Sequence, residues 1–352
     1  MEKMRYVITG GAGFFGYHLA NFLAQKKHKV ILIDIAPYNK DDYPSSVECY
    51  NCDVRDSKNL EKYLNKGDIV IHAAAALPRW KPTEIYDTNI RGTQVALDCS
   101  IKKKVSRFIF IATTAVYGIP KKHPIYETDP LCGKEVGPYG DSKAQADKLC
   151  EEYRKKNTGM VITTIRPKTF IGTARLGVFQ ILYEWVNEGR RIPMIGNGNN
   201  KYQLLDVDDL VEATYLLSKA SGKKVNGSFN IGAKEFGTIK ESINALCKYA
   251  GTGARYMATP SSIIKPILAL LEFLRLSPLY KWIYGTLDKD SFVSTEKIEK
   301  AIDFSPKFSN ADALIKSYKW YLEHRKEVRK EPGITHRVVW DQGILKFFKK
   351  FM

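Results

Sequence analysis

The stretch Tyr6-Val7-Ile8-Thr9-Gly10-Gly11-Ala12-Gly13-Phe14-Phe15-Gly16 decides how this chain is read. A short apolar run breaks on a glycine-rich turn, and His18, Leu19, Phe22 and Leu23 then recur at helical spacing. A second apolar run, Val30-Ile31-Leu32-Ile33, ends on Asp34. Three glycines alone would be an ordinary turn. Strand, turn, helix, strand and acid in that order predict a dinucleotide-binding unit. Gly10 would allow the tight turn, Gly13 would let backbone approach a pyrophosphate, and Gly16 would let the helix sit close to the strand. The helix opened by Phe14 and Phe15 would present its free amides and positive dipole end to the phosphates. Asp34 stands where a carboxylate accepts hydrogen bonds from an adenosine ribose. It would repel a 2′-phosphate, and no Arg or Lys follows before Lys40, so NAD is expected rather than NADP.

Outward from this unit, apolar runs at 4–9, 29–34, 47–51, 68–72, 106–112 and 161–166 alternate with helical patterns. The fold class expected is α/β, a Rossmann-type doubly wound parallel sheet. Residues 1–169 would form the NAD-binding domain, with 204–250 returning to it. Residues 170–203 and 251–325 would form a smaller, mostly helical substrate domain, and 326–352 a basic tail. Asp206-Val207-Asp208-Asp209-Leu210 should open a helix, and Phe229-Asn230-Ile231-Gly232 should end a strand. Tyr139-Gly140-Asp141-Ser142-Lys143 places a phenol and an ammonium on one helix face, after a start at Gly137-Pro138. A phenol titrates near 10, too high for a base at neutral pH, and a neighbouring positive charge lowers that value. Taken alone, the pair also fits a surface helix with a solvated lysine.

Joined to these, Asp53-Val54, His72-Ala73-Ala74-Ala75, Asn89-x-x-Gly92-Thr93, Ala112-Thr113-Thr114-Ala115-Val116-Tyr117-Gly118 and Arg166-Pro167 complete a recognisable series. The chain resembles an extended short-chain dehydrogenase/reductase of the NAD-dependent epimerase/dehydratase family over roughly residues 4 to 325. The resemblance implies catalytic roles for Thr113, Tyr139 and Lys143, with Asn89 supporting the lysine from behind the active site. It implies cofactor contacts from Asp53 to the adenine amino group, and from Val54, Ala73, Ala74, Ala75, Arg166 and Pro167. His72 reads as structural, because the family uses no base there. Ala76, Thr114, Thr169 and Tyr202 are candidate substrate contacts. Relatives often pair as homodimers through helices that would include the Tyr139 helix.

Composition bounds the rest. A chain of 352 residues, 44% hydrophobic and 26% charged, can bury a large core. No apolar run reaches the ~18 residues of a membrane span, and no secretory leader is read at the start. Six scattered cysteines, with Cys49-x-x-Cys52 the only close pair, read as buried thiols in a reducing compartment, the cytoplasm; no metal site is expected. The net charge of +17 attracts polyanions, but no nucleic-acid module is readable.

Substrate choice turns on two departures from the nucleotide-sugar members that the resemblance brings to mind. Thr169 stands where they carry Asn, and Tyr202 where they carry a diphosphate-gripping Arg, a fork that neither Tyr nor one Lys reproduces. Gly196-Asn197-Gly198-Asn199-Asn200 resembles the form in 3β-hydroxysteroid and sterol dehydrogenase relatives. Thr114 and Ala115, where dehydratases carry an acidic pair, argue against dehydration. The apolar segment 263–285, including Tyr280 and Trp282, reads either as the lining of an apolar pocket, as a membrane-facing lip, or as a buried core helix. In the tail, Ile344, Phe347, Phe348 and Phe351 recur beside Lys346, Lys349 and Lys350. That pattern suits an anionic membrane surface at the inner face of a membrane, or docking on the protein itself. Three functions stay open. The first is an NAD-dependent oxidoreductase interconverting a secondary alcohol and a ketone on a lipid-like or steroid-like small molecule. The second is a nucleotide-sugar 4-epimerase with bound NAD, and the third a non-catalytic NAD sensor.

Overall fold

Strand alternation builds two cores from one sheet. In the computed structural model, β1 (Arg5–Thr9) sends Tyr6 and Ile8 to one face and Val7 to the other. In β2 (Lys29–Asp34), Val30 and Leu32 likewise oppose Ile31 and Ile33. A strand buried on both faces reads as a continuous apolar run, which is why these runs do not alternate with polar residues. The structure describes residues 3–326 except 79, 157, 158, 275, 277, 278 and 280, together with Arg337.

The remaining strands are β3 (Val47–Asn51), β4 (Ile69–His72), β5 (Arg107–Ile111), β6 (Val161–Pro167), β7 (Phe170–Ile171), β8 (Arg191–Ile195), β9 (Leu205–Asp206), β10 (Ser228–Ile231) and β11 (Arg255–Thr259). Seven form one parallel sheet in the order β3-β2-β1-β4-β5-β6-β10. The chain reverses its direction of travel across the sheet between β1 and β4, and ligands bind outside the carboxyl ends of strands at such a switch point. The helices Phe14–Gln25 and Val207–Lys219 cover one face; Gly92–Lys102 and Pro138–Lys155 cover the other. The predicted α/β doubly wound sheet is the observed one.

A separate cluster gathers Tyr183, Trp185 and Val186 of the helix Val178–Asn187, Leu314 and Tyr318 of the helix Asn310–His324, and Ile243 and Leu246 of the helix Ile239–Ala250. The last helix, read above with the sheet, packs here instead. A Thr238–Glu241 capping box starts it, and Gly251 in the left-handed region ends it. Its apolar stripe then finds its partners in this cluster, joined by the two-stranded pair β8–β11. At the join, Asp206 accepts the Asp208 amide that starts the Val207–Lys219 helix and pairs with Lys316 at 2.7 Å. Asp209 accepts the Lys307 and Phe308 amides.

The first part of segment 263–285 lies in the helix Ser261–Phe273, which is not a core helix, since Ile263, Leu270 and Phe273 on its outer side stand exposed. Among the described residues no helix is long and apolar enough to cross a membrane. The tail pattern at 344–351, Tyr280 and the Trp282 side chain lie outside the described residues. Arg337 alone of the tail's later part is described, and it lies on the sheet domain, 2.7 Å from Asp42 and over the Tyr17 ring.

Candidate active site

The glycine turn fits a dinucleotide sterically. Gly10 has φ +74°, and a Cβ there would sit 2.7 Å from the Ala73 backbone. A Cβ on Gly16 would meet the Gly10 carbonyl at 2.5 Å, so helix and turn touch only because both are glycine. Gly13 has no such close neighbour apart from the Gly10 carbonyl at 3.1 Å. It ends the turn, and the helix after it has neither a side-chain cap nor an acid in its first turn. Its first amides are thus left for an anion.

This turn forms one end of a cavity of about 490 Å³. Gly10, Gly13, Phe14, Phe15, Gly16, Asp34, Asp53, Val54, Ala73, Ala74, Ala75, Ala76, Thr113, Tyr139, Lys143, Pro167, Thr169 and Tyr202 all line it. Asp34 accepts the Ala12 and Ala36 amides at 3.0 and 2.9 Å, which orients its carboxylate, while burial pushes its pKa up. Arg55 holds the Asp53 carboxyl below its ordinary value and also pairs with Asp87 at 2.8 Å. Arg55 lines the same end but is occupied by two carboxylates.

Thr113 stands two residues past the end of β5, capping the short turn that follows, and its hydroxyl accepts the Ala115 amide at 3.2 Å. Tyr139 and Lys143 lie one turn apart on the helix Pro138–Lys155, whose Pro138 stands at the helix start as expected. Lys143 is buried. Its Nζ donates to the Ile111 carbonyl at 2.6 Å and lies over the Phe110 ring. In the protein alone burial dominates both groups, raising the Tyr139 phenol to about 12 and lowering Lys143 to about 7. The expected mutual lowering of the phenol is therefore not a property of this pair by itself.

Two readings change. Arg166 does not line the cavity: it sits on the other face of β6 from Pro167, with Nε 2.6 Å from Asp147 and Nη1 2.7 Å from the Tyr117 hydroxyl. Strand alternation sends neighbours to opposite faces, so Arg166 cannot contact what Pro167 contacts. Thr114 is also outside the lining, as the first residue of the short turn Thr114–Tyr117. Asn89 lies on a π-helical turn, Asp87–Arg91, and its Oδ1 accepts the Ala76 amide while its Nδ2 donates to Ser142 Oγ at 3.0 Å. It is a positioning residue that joins a cavity wall to the lysine's neighbour. His72 is structural, buried between Thr9 and Thr93 hydroxyls at 2.8 and 3.0 Å, with its pKa lowered to about 3 by burial. All six cysteines are free, and no cluster of potential metal ligands occurs among the described residues.

Besides Arg55, two cations in the lining escape sequence reasoning. Lys168 is buried; its Nζ donates to Ser291 Oγ at 2.6 Å and lies over the Tyr202 ring, and burial lowers its pKa to about 7. Arg175 lies over the Phe14, Phe170 and Phe179 rings. The signal for Lys168 was its place inside an apolar strand end, directly between Pro167 and Thr169. Thr169 and Tyr202, the two departure positions, both line the cavity, and burial pushes the Tyr202 phenol up. Beyond Tyr139 the cavity continues between Leu182, Trp185, Met194, Leu268, Ile283 and Leu314.

Fold and cavity together define a nucleotide-cofactor α/β enzyme whose cradle spans a sheet switch point. The sequence profile of the NAD dependent epimerase/dehydratase family matches residues 6–232, and the chain belongs to this family, an extended short-chain dehydrogenase/reductase that uses NAD. It is 32% identical over 344 residues to an uncharacterized protein, y4nG, of Sinorhizobium fredii, covering 96% of this chain and 84% of that one. It is 25% identical to a UDP-glucose 4-epimerase of Halalkalibacterium halodurans, covering 91% of this chain and 96% of that one. Among solved structures, a Thermotoga maritima UDP-glucose 4-epimerase with UDP-glucose superposes with TM-score 0.75 at 24% identity, covering 93% and 100% of the two chains.

Proposed function

We propose that this protein catalyses NAD-dependent hydride transfer between a secondary alcohol and a ketone on a substrate with a largely apolar body. The observation that carries this reading is the aliphatic and aromatic wall of the cavity beyond Tyr139, with Thr169 and Tyr202 in its lining where a diphosphate-binding pair would otherwise stand. A small number of polar groups in an apolar pocket fixes orientation. Here Thr113 and Tyr139 would take the reacting oxygen, and Lys168 a second oxygen of the substrate.

The glycine turn, Asp34, Asp53, the Ala73–Ala75 backbone and Pro167 would hold the dinucleotide, and Lys143 its nicotinamide ribose. The bound cofactor supplies the hydride acceptor or donor and, when oxidised, a positive charge near the phenol. Thr113 Oγ1 already accepts the Ala115 amide, so its proton is available to donate to the substrate oxygen. Tyr139 moves the proton at that oxygen. With its pKa at about 12 in the protein alone, it is a phenol, not a phenolate, until positive charge gathers beside it. Lys143, at about 7, exchanges a proton at neutral pH and supplies part of that charge.

A second reading, nucleotide-sugar 4-epimerisation, is favoured by relatives named UDP-glucose 4-epimerase that match over nine-tenths of the chain. One assay separates the two. Secondary alcohols with apolar bodies should yield NADH stoichiometrically when NAD is added. Interconversion of UDP-glucose and UDP-galactose without net NADH would overturn the apolar reading in favour of the second. In either case Tyr139→Phe should lower turnover by about 10²–10⁴-fold, the usual worth of a positioned acid–base, with NAD affinity within a few-fold. Full turnover in that variant would remove Tyr139 from the chemistry.

A further inference from the structure

Six of the nine large hydrophobic side chains that stand exposed among the described residues fall between 263 and 276. Ile263, Ile267, Leu270 and Leu274 follow one another at spacings of three and four, a single stripe on the helix Ser261–Phe273 and its end. Phe273 flanks the stripe and is 82% exposed. The other side of the helix carries Ile264 and Leu268, which line the active-site cavity. One helix is thus the whole thickness of the wall between cavity and exterior, and it is apolar on both sides. Its two charged side chains are drawn aside into the protein: Lys265 pairs with Asp288 at 2.6 Å, and Glu272 accepts the Tyr284 hydroxyl at 2.5 Å. Among the described residues no charge is left on the outer stripe.

A contiguous apolar patch of this kind marks a surface that something covers. The charge on the chain selects the occupant. At +17, a second copy of the protein is repelled, whereas an anionic bilayer is attracted. The helix has 13 residues, about 20 Å of rise, which is too short for a ~30 Å hydrocarbon core and suited to lying in its surface. We infer that the Ser261–Phe273 helix inserts its outer stripe into the surface of an anionic membrane, making one wall of the substrate cavity a membrane contact. An apolar substrate would then pass from the acyl layer to the cavity past a single helix. That consequence rests on the proposed apolar substrate, while the docking itself does not.

The test is co-sedimentation of the full-length protein with extruded vesicles, either phosphatidylcholine alone or an equal mixture of phosphatidylcholine and phosphatidylglycerol. Binding is expected to the anionic vesicles, at least tenfold stronger than to phosphatidylcholine and weakened by 0.5 M NaCl. Leu270→Glu with Phe273→Glu should reduce it at least tenfold, while Tyr126→Glu, at an exposed aromatic elsewhere, should leave it unchanged. Because the two substituted side chains are exposed, the double variant should melt at the wild-type temperature and bind NAD as before; a lowered melting temperature moves the test to Ile263→Glu, read in the same way. The inference is overturned if no vesicles bind, or if the variant binds anionic vesicles as well as wild type, which would place the contact elsewhere on the chain. It is also overturned if light scattering shows the wild type dimeric and the variant monomeric with no vesicle binding in either, which would make the stripe an interface between copies. No outcome depends on turnover, so failure of the apolar-substrate reading and failure of docking are read separately.

Discussion

Lys168 is a long cationic side chain held almost wholly out of water by Tyr202 and Ser291, with its pKa lowered from 10.5 to about 7. Above pH 7 the folded protein has released this proton while the unfolded chain retains it up to about 10.4. The unfolded state therefore binds more protons in that window, and stability rises with pH through it. Below about 7 both states are charged and the slope vanishes. Lys143 has the same sign and a similar value. Lys168→Met should keep the packing and remove one of the two contributions, lowering the pH slope of stability between 7 and 10 by up to about 1.4 kcal/mol per unit. Urea melts of wild type and variant at pH 7, 8 and 9 check this, and an unchanged slope would show that Lys168 is charged when folded. Neither lysine's state is legible in the sequence. Lys143 is found by its spacing from Tyr139, but Lys168 becomes buried only because Ser291 and Tyr202, distant in the chain, close over it.

At the scale of elements, what the sequence discloses is what the backbone decides locally. The glycine turn, the seven strands of the sheet and the Pro138 start are written in nearest-neighbour terms: glycines where a Cβ would strike backbone, apolar runs bounded by breakers. The Ile239–Ala250 helix shows the limit, since its capping box is local while its packing partners at Trp185 and Leu314 are not. The π-helical turn that aims Asn89 at Ser142 has no local signature at all. Arg166 shows a different limit: its strand is legible, but Arg166 and Pro167 read together as cofactor contacts, although neighbours on a strand face opposite ways. Its structural task is to tie β6 to the helix that carries Tyr139 and Lys143, through an ion pair with Asp147 in which both side chains are almost wholly buried. Removing one partner leaves the other charge buried and unpaired, so Arg166→Ala should cost about 3–5 kcal/mol of stability. A denaturant titration measures that loss. NAD affinity of the folded variant, by calorimetry, should remain within a few-fold of wild type, and a large selective loss of affinity would return Arg166 to the cofactor site.

Across the whole molecule, the cavity is built from the sheet and from the separate helical cluster, from Gly10 in the glycine turn to Leu314 on the helix Asn310–His324. A ligand that binds only the folded cavity stabilises by mass action, about 2.7 kcal/mol at a hundred times its Kd. With an unfolding entropy of about 2.1 cal/mol/K per residue, a chain of this length should gain roughly 3–4 °C in Tm from NAD at that concentration. NADP at the same concentration should give less than about 1 °C, since Asp34 meets its 2′-phosphate and Arg55, the cation at that end, is already held by Asp53 and Asp87. Asp34→Asn removes the repulsion while keeping an acceptor for the Ala12 amide, so it should narrow the gap between the two cofactors from both directions. Differential scanning calorimetry of both proteins with each dinucleotide measures all four shifts. Equal shifts for NAD and NADP in the wild type would mean that Arg55 leaves its carboxylates to take the phosphate, and that charge at this end of the cavity is set by the Asp53–Arg55–Asp87 network rather than by Asp34.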